Sequence, residues 1–302
     1  MTPRSSRPES CRRARPLLGT VVEIAATGST FVGAVMAVEV AFAAVQDVHR
    51  LMSFHELESD VSRINVARVG ETVVVNPHTH RVLRFARKLS AASSGVFDVT
   101  VGDTLVRHGF LPALPAEDAQ RREAIWRDLE LLAENRVRWR RAGCIDLGGI
   151  AKGYAVDMGI ATLRSHGVLS GVVNAGGDLR MFGEPQPIHV RLPDAPGMLT
   201  PLGVFADCAL ATSASYFSSV DADDGPLEPL VDRERRIGSA RQGSATVVAA
   251  ECMTADALTK VVRLAPHIAP KVLEGFDARA IIIDGTRQRS IGATRCDEGR
   301  TT

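Results

Sequence analysis

Two apolar stretches of this 302-residue chain each run into a Gly-Gly pair with an aspartate beside it. The first is Asp146-Leu-Gly-Gly-Ile-Ala-Lys-Gly-Tyr-Ala-Val-Asp157, and the second is Val172-Val-Asn-Ala-Gly-Gly-Asp178. Because glycine lacks a Cβ atom, a ligand can approach the backbone closely at such turns. Two of them in one chain favour a single cleft lined by both. The structural alternative is a strand–helix turn with ordinary glycines at the first, and a tight turn closed by an Asx hydrogen bond at the second.

The first Gly-Gly pair precedes the clearest helix of the sequence, which we predict over residues 150–166 with Gly167 as its C-cap. The free N–H groups at the start of a helix can bind an anion, and Lys152 in the first turn can reach a phosphate. The spacing matches neither the P-loop nor the dinucleotide-binding fingerprint, so neither of those nucleotide-binding motifs is indicated.

A third segment, Cys252-Met-Thr-Ala-Asp-Ala-Leu-Thr-Lys260, has helical spacing. On a helix Asp256, Thr259 and Lys260 share one face, because they stand at positions i, i+3 and i+4. A carboxylate beside a hydroxyl is a pair of hard oxygen ligands of the kind that Mg²⁺ prefers. The alternative is an exposed ion pair between Asp256 and Lys260, which would contribute about 0.3–0.5 kcal/mol.

Two further segments carry polar residues in apolar surroundings. Ser94-Gly-Val-Phe-Asp-Val-Thr-Val-Gly102 reads as a glycine-bounded, β-like run that contains Asp98 and Thr100. His55 lies in a segment, residues 52–65, that we predict to pass from a loop into a helix. A histidine in such a place is usually a surface residue, so this segment alone does not indicate a function.

Composition excludes several classes of function. Lys and Arg number 36 and Asp and Glu 35, so the formal net charge is +1, and the chain has no global positive field for nucleic acid. The five cysteines include no CxxC spacing, which argues against a zinc site or a disulfide framework and favours a reducing compartment. Predicted strands and helices alternate irregularly, and this order favours an α+β fold over a regular βαβ series.

The ends of the chain differ from its middle. We expect a flexible basic tail over residues 1–16, one domain over residues 17–285, and a flexible tail over residues 286–302. The apolar run 31–45 contains Glu39 and is shorter than the ~20 residues of a membrane span, so we interpret it as a buried amphipathic helix. No apolar stretch precedes Cys11, and we therefore expect a cytoplasmic protein.

Taken in order, these segments resemble the ApbE family, the FAD:protein FMN transferases, over roughly residues 15–284. The two Gly-Gly motifs carry most of the resemblance, and Ala211-Thr-Ser and Ala255-Asp-Ala-Leu support it. The resemblance implies an α+β fold of two interleaved lobes with FAD in the cleft between them and Mg²⁺ at its pyrophosphate. It further implies that FMN is transferred from FAD to a Ser or Thr hydroxyl of an acceptor flavoprotein, with release of AMP.

The resemblance also implies roles for individual residues. The catalytic residues would be Asp256, Asp146 and Lys152. The Mg²⁺ ligands would be Asp256, Thr259 and Gly149, the last through its backbone carbonyl. The residues around FAD would be Leu18, His55, Val96, Phe97, Asp98, Asp146, Lys152, Asp178, Thr212, Ser213 and Leu230.

Three positions depart from the family pattern. Its usual Ala-Thr-Ser-Gly-Asp is Ala211-Thr-Ser-Ala-Ser215 here, and its usual His-Ile-Ile-Asp-Pro is Pro229-Leu-Val-Asp-Arg233. A histidine expected near the reacting phosphate is therefore absent, and Asp232 or Asp178 could serve as the base instead. The third departure is Lys260, which stands where the family usually has the hydroxyl ligand four residues after the aspartate.

Lys260 leaves the metal expectation open. A +1 ammonium about 4 Å from Mg²⁺ would repel it by about 8 kcal/mol at an effective dielectric constant of about 20. Either Lys260 points away and Thr259 binds the metal, or its ammonium replaces the metal. Three functions follow from these alternatives: a flavin transferase, an FAD-binding protein with impaired catalysis, or a pyrophosphatase that converts FAD to FMN and AMP.

Overall fold

A computed structural model describes residues 8–113, 124–193, 195–214, 220–222, 225–232, 237–238, 243–285 and 287–297. The strands are β1 Glu9–Leu17, β2 Thr20–Gly28, β3 Thr72–Val74, β4 Leu129–Leu132, β5 Arg136–Trp139, β6 Ser170–Ala175, β7 Asp178–Phe182, β8 Gln186–Leu192, β9 Ala195–Phe205, β10 Ala209–Ala214, β11 Val220–Ala222, β12 Gly225–Leu227, β13 Val231–Asp232, β14 Ile237–Gly238, β15 Ser244–Ala249, β16 Arg279–Asp284 and β17 Arg287–Gly292. The helices are α1 Phe31–Met52, α2 Asp60–Val66, α3 Pro77–Ala92, α4 Gly102–Arg107, α5 Ala151–Ser165, α6 Cys252–Leu264 and α7 Ala269–Gly275.

One eight-stranded sheet organises the chain, with the strand order β1-β2-β6-β7-β10-β15-β16-β17. Every neighbouring pair in it is antiparallel. A three-stranded sheet β3-β5-β4 and the β8–β9 ribbon lie apart from it. The α+β prediction is confirmed, since helices and antiparallel strands are mixed without a regular βαβ repeat.

Helices α1, α5 and α6 cover the sheet and form the core with it. Helix α1 packs against α5 and against β1 and β2, and α6 packs against α5, β10 and β15. Thr30 begins α1 by accepting a hydrogen bond from Gly33 N–H through its Oγ1 atom at 3.1 Å. The buried residues of α1 recur every three or four positions, as Ala34, Ala37, Val38, Ala41, Phe42, Val45, Val48 and Met52.

Helix α1 has the length and the apolar composition that would let it cross a membrane. One face of it is instead packed against α5 and the sheet, as the sequence predicts for an amphipathic core helix. Its opposite face exposes Phe31, Val32, Met36 and Val40.

Helices α5 and α6 cross at very short range because Gly153 lies at the contact. A Cβ atom on Gly153 would stand 2.4 Å from the carbonyl oxygen of Cys252 and 2.8 Å from Cβ of Asp256. Asp157 of α5 binds the start of α6, since its carboxylate accepts hydrogen bonds from the N–H groups of Cys252 and Met253, each at 2.8 Å. The same carboxylate pairs with Arg180 of β7 at 2.7 Å. The first turn of α5 is therefore held beside α6.

The expected N-terminal tail is wrong for residues 9–16, which form most of β1 and pair with β2 along its whole length. Cys11 alone among these residues is buried, while Arg12, Arg13 and Arg15 are exposed. Arg12 pairs with Glu23, and Arg15 pairs with Glu39. A run of arginines suggests a solvated tail, but an edge strand with one exposed face accepts the same residues.

The expected C-terminal tail is likewise wrong for residues 287–297. Residues 287–292 form β17, which pairs with β16 at the opposite edge of the sheet. A short 3-10 helix, Arg295–Asp297, follows it. Of the remaining residues of the two expected tails, 1–7, 286 and 298–302 lie outside the described residues.

We predict that Gly153→Ala destabilises the fold, because the added methyl group overlaps the backbone of α6. Overpacking of this kind costs about 1–3 kcal/mol. Gly275→Ala is the matched control: it lies at the exposed end of α7, with nothing within 4 Å of its Cβ position. Urea denaturation of both variants measures the difference, and equal stabilities would contradict this account of the α5–α6 contact.

Candidate active site

The two Gly-Gly turns meet at one cavity of about 910 Å³. Gly148 and Gly149 line it from the first turn, and Gly176 and Gly177 from the second. The structure thus brings both turns to one cleft, as their sequences predict. Among the residues expected around a ligand, those that line the cavity are Leu18, His55, Asp146, Lys152, Asp178, Thr212, Ser213 and Leu230.

The second Gly-Gly turn fits both interpretations of its sequence, a tight turn and a part of the cleft wall. Asn174 Oδ1 accepts a hydrogen bond from Gly177 N–H at 2.9 Å, which is the Asx contact expected of a tight turn. Gly176 and Gly177 have φ values of +64° and +103°, in the region that favours glycine. At Gly176, a Cβ atom would stand 2.5 Å from Oγ1 of Thr20. The turn is therefore both a hydrogen-bonded hairpin and part of the cavity wall.

An ion pair joins the two turns. Lys152 from the first turn of α5 donates to Asp178 at the start of β7, whose carboxylate is almost fully buried. Burial alone would lower the pKa of Lys152, but the carboxylates of Asp178 and Asp256 outweigh it and raise that pKa. Burial, together with the charge of Asp256, raises the pKa of Asp178, and Lys152 opposes this shift. The ammonium of Lys152 therefore stays charged at the cavity wall.

Asp146 is the carboxylate of the first Gly-Gly turn. Its Oδ2 atom accepts a hydrogen bond from Gly148 N–H at 3.0 Å, which holds the side chain at the cavity wall. Burial raises its pKa, while the Gly148 N–H group and the nearby His55 and Lys260 side chains act in the opposite direction. A carboxylate with a raised pKa is a better proton acceptor, so Asp146 can act as a base.

The four residues Gly149, Asp256, Thr259 and Lys260 form what we call the Asp256 cluster. Lys260 donates to Oδ1 of Asp256 and, at 3.0 Å, to its carbonyl oxygen. Gly153 N–H donates to Oδ2 of Asp256 at 3.1 Å. The two ammonium groups of Lys260 and Lys152 outweigh the effect of burial and lower the pKa of Asp256.

This cluster does not fit the expected Mg²⁺ site. Thr259 Oγ1 donates to the carbonyl oxygen of Asp256 at 2.7 Å, and the side chain of Lys260 lies over Gly149, with its Cε atom 3.2 Å from the Cβ position. The Lys260 side chain thus contacts two of the three expected ligands, Gly149 through its aliphatic part and Asp256 through its ammonium. The parts of the chain that the structure describes hold no group of three or more His, Cys, Asp or Glu side chains suited to a metal ion. The ion pair predicted as the alternative is present, but it is buried rather than exposed.

Val96, Phe97 and Asp98 were expected at the ligand, but the structure does not bring them to the cavity wall. Their segment is a series of turns rather than a strand. Asp98 faces inward, where it accepts hydrogen bonds from the N–H and hydroxyl groups of Thr100 at 2.8 and 2.7 Å. The polar side chain of Asp98 therefore stabilises the turn, whereas the family resemblance had implied a contact with the ligand.

Several residues of the cavity wall were not predicted. Arg263 lies one helical turn after Lys260 on α6, and it pairs with the buried Glu228 at 2.8 Å. The i+3 spacing from Lys260 was the available signal for it. His189 and Arg191 of the β8–β9 ribbon also line the cavity, and no motif marked them. Of the two proposed substitute bases, Asp178 lines the cavity, and Asp232 is not among its lining residues.

Comparisons with known proteins agree on one family. The sequence model described as "ApbE family" matches residues 18–282. A Vibrio cholerae protein named FAD:protein FMN transferase is 30% identical over 234 residues, which are 71% of this chain and 69% of that protein. A Rhodobacter capsulatus protein of the same name is 30% identical over 66% of this chain, which spans only 41% of that longer relative.

Solved structures give the same result for the fold. The ApbE protein of Thermotoga maritima has a TM-score of 0.80 and 25% identity, with 95% of this chain and 97% of that one covered. The apo flavinyl transferase ApbE of Pseudomonas stutzeri has a TM-score of 0.78 and 21% identity, with 98% of both chains covered.

We predict that Lys152→Met destabilises the protein by about 1–3 kcal/mol at pH 7, because it leaves the buried Asp178 carboxylate unpaired. The unpaired group will have a folded-state pKa above its unfolded value. Stability is then retained at acidic pH and lost as the pH rises through the folded pKa. Urea denaturation at pH 4.5 and pH 7 measures this difference relative to wild type. Lys271→Met on the exposed face of α7 is the control, and an equal loss from Lys152→Met at both pH values would contradict the pairing.

Proposed function

The chain belongs to the ApbE family, and from this membership we propose that it transfers FMN from FAD to a hydroxyl group of an acceptor protein. The observation that carries the proposal is the convergence of both Gly-Gly turns, with Lys152 and Asp146, on one cavity. Its volume of about 910 Å³ suits a large ligand such as a dinucleotide, since small-molecule sites are typically about 300–1,000 Å³.

Three cationic side chains, each paired with a buried carboxylate, lie on the wall where we place the diphosphate of FAD. Lys152, Lys260 and Arg263 all line the cavity. The N–H groups of Ala151 and Gly153 at the start of α5 already donate, to the carbonyl oxygen of Leu147 and to Asp256, so the positive charge on this wall comes from the side chains. Groups fixed in this way stabilise charge that develops as a phosphoanhydride bond breaks.

The reaction requires one bond to form and one to break. The acceptor hydroxyl oxygen bonds to the phosphorus on the flavin side, and the bond from that phosphorus to the AMP oxygen breaks. The product is a phosphodiester between FMN and a Ser or Thr side chain, with AMP as the leaving group. The hydroxyl proton passes to a base, for which Asp146 is best suited because it lies at the cavity wall with a raised pKa.

The apolar part of the cavity suits the rings of the ligand. Leu18, with its φ of +57°, contributes to this wall together with His55 and Leu230. Flat side chains and aliphatic groups of this kind bury ring systems. We assign these three residues to the flavin nucleotide, as the family resemblance implies.

We do not include Mg²⁺ in the proposed reaction. The Lys260 side chain lies against the expected ligand Gly149, and its ammonium covers Oδ1 of the expected ligand Asp256, so a metal ion could bind there only by displacing Lys260. The residues named above can bind and orient the substrate without it.

The proposal predicts that the protein, incubated with FAD and the protein acceptor of the Vibrio cholerae relative, adds one FMN to that acceptor and releases AMP. Mass spectrometry measures the adduct, and chromatography measures AMP. The control is the same acceptor with its modified Ser or Thr replaced by Ala. FMN and AMP formed without any acceptor would indicate a pyrophosphatase instead. FAD binding without turnover would indicate the impaired, binding-only protein.

A second prediction concerns the base. Asp146→Asn should lower the transfer rate by about 10²–10⁴-fold, because general bases typically contribute that much. FAD affinity should change little, since the amide keeps the shape of the side chain. The wild-type rate should rise with pH as Asp146 ionises, and this limb should disappear in the variant. Asp47→Asn on the exposed part of α1 is the control, and an unchanged pH profile for Asp146→Asn would exclude the role.

A further inference from the structure

Lys260 is the member of the Asp256 cluster that meets the cavity. Its side chain lines the wall, whereas the Asp256 side chain is fully buried and Thr259 is 1% exposed. A ligand in the cavity therefore contacts the ammonium before it contacts the carboxylate or the hydroxyl. The charge presented at this point of the wall is positive.

The ammonium is held in place from two sides. Asp256 accepts hydrogen bonds from it through Oδ1 and through its carbonyl oxygen at 3.0 Å. On the other side, the aliphatic part of Lys260 lies against Gly149, which has no side chain to obstruct it. Only 20% of the Lys260 side chain is exposed. The charge is thus fixed beside the first Gly-Gly turn rather than extended into solvent.

The oxygen atoms that a hard cation would need all take part in hydrogen bonds within or beside the cluster, and the Lys260 ammonium covers Oδ1 of Asp256. Oδ2 of Asp256 accepts the Gly153 N–H group at 3.1 Å, and Oδ1 accepts Lys260. The Thr259 hydroxyl donates within its own helix at 2.7 Å, to the same carbonyl oxygen that accepts Lys260. A divalent ion could enter only by displacing the ammonium from its buried partner.

From these contacts we infer that Lys260 takes the place of a divalent cation, so that this chain binds FAD without Mg²⁺. The inference rests on the proposed function, because FAD is the ligand that it concerns. An ammonium has three N–H donors, and the described contacts use two of them. The third can serve a phosphate oxygen, and hydrogen bonds from an ammonium to a phosphate are of the strong, charge-assisted kind. Lys152, paired with Asp178, provides a second positive charge on the same wall.

The wild-type protein provides the first test. FAD is titrated into protein freed of metal with EDTA, and into the same protein in MgCl₂, with quenching of flavin fluorescence as the readout. The dissociation constants should agree within about twofold. In parallel, calorimetric titration of MgCl₂ into the protein without FAD should give no binding heat. An FAD affinity at least tenfold tighter in MgCl₂ would overturn the inference and leave the proposed transferase intact.

The variant Lys260→Thr provides the second test. It removes the ammonium and places a hydroxyl four residues after Asp256, which frees Oδ1 of that carboxylate for a cation. In EDTA its FAD affinity should fall at least tenfold, and MgCl₂ should restore it; calorimetry should then detect one Mg²⁺ per chain. Lys271→Thr, on the exposed face of α7, should behave as wild type.

The outcomes separate the two proposals. An FAD affinity of Lys260→Thr that equals wild type in EDTA would show that the ammonium does not serve the ligand, and would overturn the inference. If Lys260→Thr does not fold, the two wild-type titrations still decide. A wild-type protein that binds no FAD in either buffer would refute the proposed function, and the inference with it.

Discussion

The close crossing of α5 and α6 determines where the chemistry of this protein lies. Gly153 allows the two helices to approach within backbone contact, and Asp157 binds the first N–H groups of α6. Consequently the first turn of α5, which carries Lys152, lies beside the turn of α6 that carries Asp256 and Lys260. Without that crossing, α6 would not bring Lys260 and Arg263 to the cavity wall beside the two Gly-Gly turns. The packing of α5 against α6 therefore also determines where the charges of Lys152, Asp256 and Lys260 lie.

Part of the fold could be predicted because local signals in the sequence, such as glycine caps and helical spacing, indicate where helices lie. Helix α5 differs from its predicted bounds by one residue at each end, and helix α6 includes the whole segment 252–260 that has helical spacing. The edge strands could not be predicted in the same way. Their arginines resemble a solvated tail, and only pairing with β2 or β16, which is not a local property, makes them strands.

The candidate site likewise has residues that local sequence signals predict and residues that they do not. Backbone turns marked by glycine, with Asp146, Lys152 and Asp178 beside them, could be placed together from the sequence and are found together. The position of Asp98 could not be predicted from the sequence. Its hydrogen bonds to Thr100 depend on a turn, and the glycines that bound this segment are equally compatible with a strand. For Lys260, helical spacing predicted the correct face of the helix. It did not show whether the side chain points away from Asp256 or pairs with its carboxylate. That choice depends on Gly149, which is more than a hundred positions away in the sequence.

The outermost strands of the large sheet have a consequence for how molecules of this protein meet. Each margin, β1 on one side and β17 on the other, presents guanidinium groups to solvent. Two copies that approached margin to margin would bring like charges together before any backbone pairing could begin. Charged margins of this kind discourage a sheet from continuing into a neighbouring molecule. The exposed arginines of β1 and β17 thus discourage two molecules from pairing their sheets edge to edge.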